Sequence, residues 1–382
     1  MAGVQPSVLR WARETIGKSI ADVARVFNHN STDTVFSWES GEDAPSYPQL
    51  ERLASLYKRP VAVFFFPEPL IEKFPAQDFR TLPNEDLRKL DPDTYERIRK
   101  ARYYQLSLHE LFEGKNPAGT LIWSALRPST FDRRSVVAKK IRGVLRVDIE
   151  KQSACKSADD ALKMWRRAVE DVGVFVFKDT FKQKMISGLS LSDDEFPVIY
   201  LNNSTEKNRQ VFSLFHELAH VLLRVNGLSE FDPKYIDELP PENRSVEVYC
   251  NALAAEILVP LDIFMSDINE VQDPAVNIDA ICGNLSQRYW VSRLVILRRL
   301  LSLNIIDKDL YGNKAREWSA TGKGSGGGGD YFSNMKAYIS ERFAYEVLYR
   351  HQTHKLSVEE ASDYLRIAPK NFDGFERALL GG

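Results

Sequence analysis

The segment 211–223, with the sequence VFSLFHELAHVLL, constrains the fold of this chain more than any other feature. It is too long and too apolar for a loop, so we expect a buried helix. His216 and His220 are four positions apart and project from one helical face, where both imidazoles can reach a single metal ion. Glu217 lies beside them and can point to a water molecule on that ion. We therefore assign it the role of general base.

A catalytic zinc ion of this kind needs a third protein ligand, and a predicted helix at 245–260 offers candidates. Glu247 and Glu256 are nine positions apart, about 900° of helical rotation, and point to roughly opposite faces. The face of Glu247 continues through small or polar residues that allow close helix packing, namely Cys250, Asn251 and Ala254. We predict Glu247 as the ligand and a surface or structural role for Glu256. Cys250 remains an alternative, although two histidines with one cysteine are less usual for water activation.

The surroundings of the His-Glu-x-x-His pattern favour a metal site over a chance match, which such a short pattern also produces. Three segments before or beside it have strand composition, at 172–177, 185–191 and 196–201. Helical patterns follow at 204–224, 243–258 and 283–302. The sequence therefore predicts an α+β fold that is mostly α, with a small antiparallel sheet.

Three segments in order, VIYLNN, FSLFHELAH and EVYCNALAAEILVP, resemble the motifs of the ImmA/IrrE family of metallopeptidases. The resemblance covers roughly 131–302, with Cys250 in place of the usual Ala and Leu253 in place of the usual Phe. It implies a zincin-like peptidase domain whose Zn²⁺ ligands are His216, His220 and Glu247. It also implies that Glu217 is the catalytic acid/base.

Residues 7–66 read as a run of short helices, with the third at about Thr32–Ser40 and Gly41 as its stop. The segment TVFSWESGEDAPSYPQLERLASLYKRPVAVFFF resembles an Xre/Cro-C1-type helix-turn-helix, chiefly through Trp38, Glu39, Gly41 and Pro45. This resemblance implies that the third helix enters the major groove of DNA. The residues in contact would be Ser31, Thr32, Asp33 and Ser37.

The charge of this N-terminal region gives little support to DNA binding. Residues 1–70 contain seven Lys or Arg and eight Asp or Glu, whereas phosphate contacts normally need a basic face. Asp33 at the front of the reading helix repels the DNA backbone. Dimerisation, or docking of a protein partner, is the alternative role for this region.

The composition is that of an ordinary globular protein, with 27% charged residues and a formal net charge of −2. The N-terminus lacks the pattern of a signal peptide, and the most apolar run, 61–66, is too short to span a bilayer. Three cysteines without a paired spacing suit a reducing compartment. We therefore expect a cytoplasmic protein that does not bind membranes.

The sequence predicts five parts in succession. They are a helix-turn-helix domain at 1–70, a helical connector at 71–130, a zinc metallopeptidase domain at 131–310, a Gly-rich linker at 311–330 and a small helical module at 331–382. The connector contains a charged stretch that we expect to be a surface-lying helix or helix pair.

The predicted function is that of a zinc endopeptidase fused to a DNA-binding domain, acting on a regulatory or toxin-like partner protein. The alternative is a DNA-binding repressor or antitoxin whose metal site is structural or inactive. A third possibility is a scaffold that sequesters a partner through residues 331–382. A homodimer is compatible with each, since helix-turn-helix proteins commonly dimerise.

Overall fold

A computed structural model describes residues 3–27, 32–71, 79, 90–183, 185–230, 233–269, 277–321 and 331–381. The described chain is mostly helical and contains one small sheet, which confirms the mostly α form of the α+β prediction. No single helix among the described residues is long and apolar enough to cross a membrane. One bent pair of helices, Pro241–Leu258 and Leu261–Asn269, passes the same test together, with a 56° bend.

The N-terminal region forms four short helices followed by a 3-10 turn at Val61–Phe65. The helices are α1 (Pro6–Glu14), α2 (Ile20–Val26), α3 (Asp33–Ser40) and α4 (Tyr47–Tyr57). Ser19 and Asp22 form a capping box that starts α2. Gly41 ends α3 with a φ of 84°, a left-handed conformation that glycine adopts without strain.

A buried ion pair joins α1 to α3. The Arg13 guanidinium donates to both carboxylate oxygens of Glu39, from Nε at 2.7 Å and from Nη2 at 2.8 Å. The two side chains are only 10% and 3% exposed. The bidentate geometry fixes the orientation of α3 on α1.

The connector contains a helix that belongs to the core rather than to the surface. This helix, α5 (Pro92–Leu111), buries an apolar side along its length, and Tyr104 stacks on Phe177 with ring centroids 4.1 Å apart. At its other side, Arg99 donates to the carbonyl oxygen of Lys58, which ends α4. The prediction of a surface-lying helix is wrong, because the aromatic side of α5 covers the sheet.

The sheet is mixed and four-stranded, in the order β1-β3-β2-β4. Its strands are β1 (Phe175–Asp179), β2 (Ile186–Leu191), β3 (Val198–Asn202) and β4 (Gly227–Glu230). β1 runs parallel to β3, while β2 is antiparallel to both β3 and β4. The prediction of a small antiparallel sheet is wrong for one of the three strand pairs, because β3 inserts between β1 and β2 and runs in the direction of β1. β4 has no counterpart in the sequence prediction.

Helices on the opposite face of the sheet carry the candidate site. They begin with α6 (Ile122–Ala125), α7 (Arg134–Leu145), α8 (Ile149–Ser153) and α9 (Ala158–Asp171) and continue with α10 (Lys207–Leu222), α11 (Pro241–Leu258) and α12 (Leu261–Asn269). The predicted helix at 283–302 is two helices, α13 (Ile278–Tyr289) and α14 (Arg293–Ser302). They separate at Trp290, which has a left-handed φ of 54°.

The C-terminal end of α11 is held by side-chain donors from three neighbouring helices. Arg142 donates to the carbonyl of Ile257 at 2.8 Å, and Gln152 donates to that of Leu258 at 3.0 Å. Arg299 donates to the carbonyl of Val259. These donors satisfy carbonyls that a helix end leaves without intrahelical partners. They therefore fix the position of the helix that carries Glu247.

The C-terminal region packs on the same face of the sheet as α5. It follows α15 (Lys308–Thr321) and consists of α16 (Tyr331–Tyr338), α17 (Glu341–Gln352), α18 (Val358–Leu365) and α19 (Phe372–Leu380). α15 covers the first part of the predicted linker, and 322–330 lie outside the described residues. Phe343 packs against Tyr104 and Phe177, with ring centroids 5.7 and 5.6 Å away. Arg166 donates to the carbonyls of Ala337 and Ile339.

The Arg13–Glu39 pair generates a stability prediction. Glu39→Gln leaves the buried Arg13 cation with only the exposed Glu14 carboxylate, 3.5 Å from Nη2, so we expect the N-terminal helices to lose about 3 kcal/mol of unfolding free energy. Hydrogen exchange of the α1 and α3 amides in the full chain measures this loss. Glu14→Gln is the control, since Glu14 is 51% exposed and should cost less than about 1 kcal/mol. Equal effects of the two substitutions would contradict the prediction.

Candidate metal centre

Two helices bring the three predicted ligands together. The Nε2 atoms of His216 and His220 on α10 are 3.0 Å apart. Glu247 on α11 faces them, with Oε2 3.4 Å from His216 Nε2 and Oε1 3.2 Å from His220 Nε2. All three donor atoms lie within 4.8 Å of one another. This separation is compatible with binding to one ion at the bond lengths typical of zinc.

The chemistry of these groups fits a divalent cation. Two imidazole nitrogens and a carboxylate form a common donor set for catalytic zinc. Glu247 Oε1 is fully buried, and although His220 Nε2 lies 3.2 Å away, no described residue is placed to form a hydrogen bond with it. Burial alone raises the pKa of Glu247, but His220 and His216 outweigh it and hold that pKa well below its usual range. The carboxylate is therefore charged and available as a ligand.

Neighbours on α11 orient both imidazoles. His216 Nδ1 lies 3.0 Å from Asn251 Oδ1, which accepts a hydrogen bond when that ring nitrogen carries the proton. This tautomer leaves Nε2 with the lone pair that faces Glu247. Cys250 Sγ lies 3.7 Å from His220 Nδ1, on the side of the ring away from Glu247. This position does not suit Cys250 as a ligand beside the two Nε2 atoms.

Glu256 has a structural role on the other side of α11. Its Oε2 pairs with Arg299 Nη2 at 2.9 Å, and its Oε1 accepts a hydrogen bond from the Leu261 backbone at 3.1 Å. The side chain is 9% exposed. The two glutamates of α11 thus point in different directions, as the rotational argument requires.

Glu217 is held by the sheet through one oxygen only. Ser190 on β2 donates to Oε2 at 2.7 Å and accepts a hydrogen bond from the Gly227 backbone at 3.2 Å. Oε1 has no partner among the described residues. A Cβ atom at Gly227 would lie 2.9 Å from Glu217 Oε2 and 2.8 Å from His220 Cδ2. Glycine is therefore the residue that allows β4 to approach both helix side chains.

Tyr235 closes the site from the 3-10 helix Pro233–Glu238. Its hydroxyl donates to Glu247 Oε2 at 2.6 Å. Burial and the Glu247 charge raise the pKa of Tyr235 well above its usual value, so the phenol remains a donor. His216 is 4% exposed, and the side chains of Glu217, His220 and Glu247 are fully enclosed.

Sequence reasoning missed Ser190, Gly227 and Tyr235, and it did not assign the contact of Asn251. The small-residue face of α11 pointed to Asn251 as a neighbour of the site. No signal in the sequence pointed to the other three, since each reaches the centre from a distant segment.

The predicted DNA-contacting residues lie in the N-terminal region. Thr32 and Asp33 are exposed at the start of α3. Ser37 is half-buried and donates to the Thr34 carbonyl at 2.8 Å. Ser31 lies outside the described residues. The most exposed apolar side chain of this helix is Phe36, at 53%.

Comparison with known proteins gives one family match. Residues 169–301 match the Peptidase_M78 family model, described as an IrrE N-terminal-like domain. The match starts in α9, after the predicted start of the peptidase domain at 131, and includes both helices of the centre. No curated protein matches the chain. This part of the chain is therefore similar to a metallopeptidase-type domain of regulatory proteins.

Proposed function

We propose that the chain is a zinc-dependent endopeptidase whose active centre consists of His216, His220, Glu247 and Glu217. One observation carries the proposal. The three ligand atoms lie within 4.8 Å of one another, and the carboxylate that follows His216 on α10, Glu217, keeps its buried Oε1 without a partner among the described residues. A structural zinc site normally has four protein ligands and no need of such a base. The match to the Peptidase_M78 model supports the same reading.

The residues around the centre would divide the work of peptide hydrolysis. Zinc held by the two imidazoles and Glu247 would supply an acidified water molecule and a polarised carbonyl group. Glu217 accepts the proton of the attacking water at Oε1 and returns it to the leaving amine. Ser190 keeps Oε2 in place during both transfers. Asn251 holds the proton on His216 Nδ1, so that Nε2 remains free to bind the ion.

A specific protein partner, regulatory or toxin-like, is the substrate class that we propose. The helices before and after the peptidase region add surfaces that an enzyme acting on any peptide does not need. The centre is also enclosed, which favours a selected substrate over general digestion. The three cysteines are free, which supports a reducing compartment such as the cytoplasm. A homodimer is part of this proposal.

The role of Glu217 is tested by comparing protein termini in cells that express either wild type or Glu217→Gln. Loss of the base should reduce specific cleavage by about 10²–10⁴-fold while the zinc content stays the same. Glu238→Gln, which changes an exposed carboxylate on the 3-10 helix Pro233–Glu238, is the matched control and should cleave as wild type does. If wild type and Glu217→Gln produce identical termini, the endopeptidase assignment fails.

Metal binding is tested on the purified protein by competition with a chelator. We expect one zinc ion per chain, no tight binding by His216→Ala, and about 10–100-fold weaker binding by Tyr235→Phe, because Tyr235 orients a ligand. Tyr249→Phe is the control, since its buried hydroxyl has no partner among the described residues. Equal zinc affinity of wild type and His216→Ala would contradict the site.

The same assay has a predicted pH dependence. Burial lowers the pKa of His216, but Glu247 outweighs it and raises that pKa above its ordinary value. Protons therefore compete with zinc from a higher pH than at an ordinary histidine, and affinity should fall as the pH is lowered through this raised pKa. An affinity that stays constant across that range would oppose the assignment of His216.

DNA binding by the N-terminal helices is a second candidate function. Arg25 is 75% exposed at the end of α2, and Arg52 reaches the same end by donating to the Val26 carbonyl at 2.7 Å. These two cations are the observation that favours it, because residues 1–70 as a whole are not basic. The metal centre would then be structural or would control DNA occupancy.

A gel-shift assay on the DNA upstream of the chain's own coding sequence tests this function. Arg25→Ala should weaken binding similarly for all sequences and reduce the salt dependence by about one phosphate contact. Arg377→Ala in the C-terminal region serves as the control. Absence of any wild-type shift at low salt would remove this function from consideration.

A further inference from the structure

A second cluster of charged side chains lies where strands β1 and β3 end and helix α10 begins. The Asn203 backbone donates to the Asp179 carbonyl at 2.7 Å, which places the loop before α10 beside the end of β1. Lys178 is the fourth residue of β1, and Lys207 is the first residue of α10. Ligands of open α/β sheets commonly bind at the carboxyl ends of parallel strands, next to a helix N-terminus.

Lys178 is a buried lysine whose ammonium group makes no hydrogen bond to a carboxylate among the described residues. Lys178 is 4% exposed, and its ammonium group lies against that of Lys207. Within the described part of the chain, no acceptor lies within hydrogen-bond distance of it. Burial, followed by the charges of Lys207 and Arg166, lowers the pKa of Lys178 well below its ordinary value. Burial thus disfavours the charged form of Lys178 unless an anionic partner lies beside it.

The neighbouring carboxylates do not supply that partner. Asp159 pairs with Lys163 at 2.8 Å and lies 3.7 Å from Lys207. Glu170 is taken by Arg166, at 3.6 Å. Asp159 and Glu170 are thus engaged by other cations, and neither makes a hydrogen bond to Lys178.

The start of α10 adds a further attraction for anions. Glu206 precedes this 16-residue helix, and its side chain does not cap the helix. The first backbone N–H groups of α10 therefore receive no hydrogen bond from a capping side chain. The helix dipole places partial positive charge at the same end. Lys207 Nζ bends back to Asn203 Oδ1, 3.3 Å away, and thus stays over the loop rather than extending into solvent.

We propose that Lys178, Lys207 and the first turn of α10 bind a phosphate-type oxyanion. Such an anion would separate the two ammonium groups, accept hydrogen bonds from both and favour the charged form of Lys178. Inorganic phosphate and a phosphate monoester present the same group and are the two sources to distinguish. His216 lies nine residues further along α10, about 14 Å along its axis. The anion would therefore stabilise the helix that carries the metal ligands, whether or not the centre is a peptidase.

Calorimetric titration of the full chain with inorganic phosphate, in chloride buffer of matched ionic strength, tests the site. Wild type should bind one phosphate per chain. Lys178→Met and the partly exposed Lys207→Met should each bind at least about tenfold more weakly, because each removes a charge-assisted hydrogen bond. The second variant keeps the test valid if the first fails to fold. Lys182→Met, an exposed lysine paired with Asp93, is the control and should bind as wild type does.

A parallel titration with adenosine 5′-monophosphate distinguishes the two sources. Binding that is lost in the same two variants shows that the site accepts a phosphate monoester. Phosphate binding without nucleotide binding shows that it takes the free ion. The proposal is overturned if wild type binds neither probe at millimolar concentration, or if both variants bind as tightly as wild type.

Discussion

The register between α10 and α11 is the constraint on which the candidate centre depends. Two imidazoles and a carboxylate are buried together at this contact, and none of them is stable there without the others or an ion. Side-chain donors hold the far end of α11, and β2 and β4 hold Glu217 from the opposite side. The surrounding fold thus keeps four polar side chains close together at a position where hydrophobic packing alone would exclude them.

The parts of the site that follow from helical geometry were accessible from the sequence. The spacing of His216 and His220 fixes their common face, and the rotation between Glu247 and Glu256 separates a site residue from a structural one. Ser190, Gly227 and Tyr235 were not accessible, because they meet the helices through contacts between distant segments. Local periodicity contains no information about such contacts.

The errors in the fold prediction have related causes. Strand composition located three strands, but it cannot show that β3 inserts between β1 and β2. The many charges of α5 suggested a surface position, yet its aromatic and small residues lie on one side and cover the sheet. At Trp290 a single left-handed residue divides an apolar run that looks continuous in the sequence. In each case the tertiary partner decides the outcome.

The enclosure of the centre has a consequence for the timing of any reaction there. A polypeptide cannot reach side chains with at most 4% exposure unless part of their cover moves aside. The hydrogen bond from Tyr235 to Glu247 and the burial of Ile236 and Leu239 make that movement unfavourable at rest. Turnover would therefore include an opening step before any bond is broken. A ligand that binds the open form more tightly than the closed form would then control how often the centre opens.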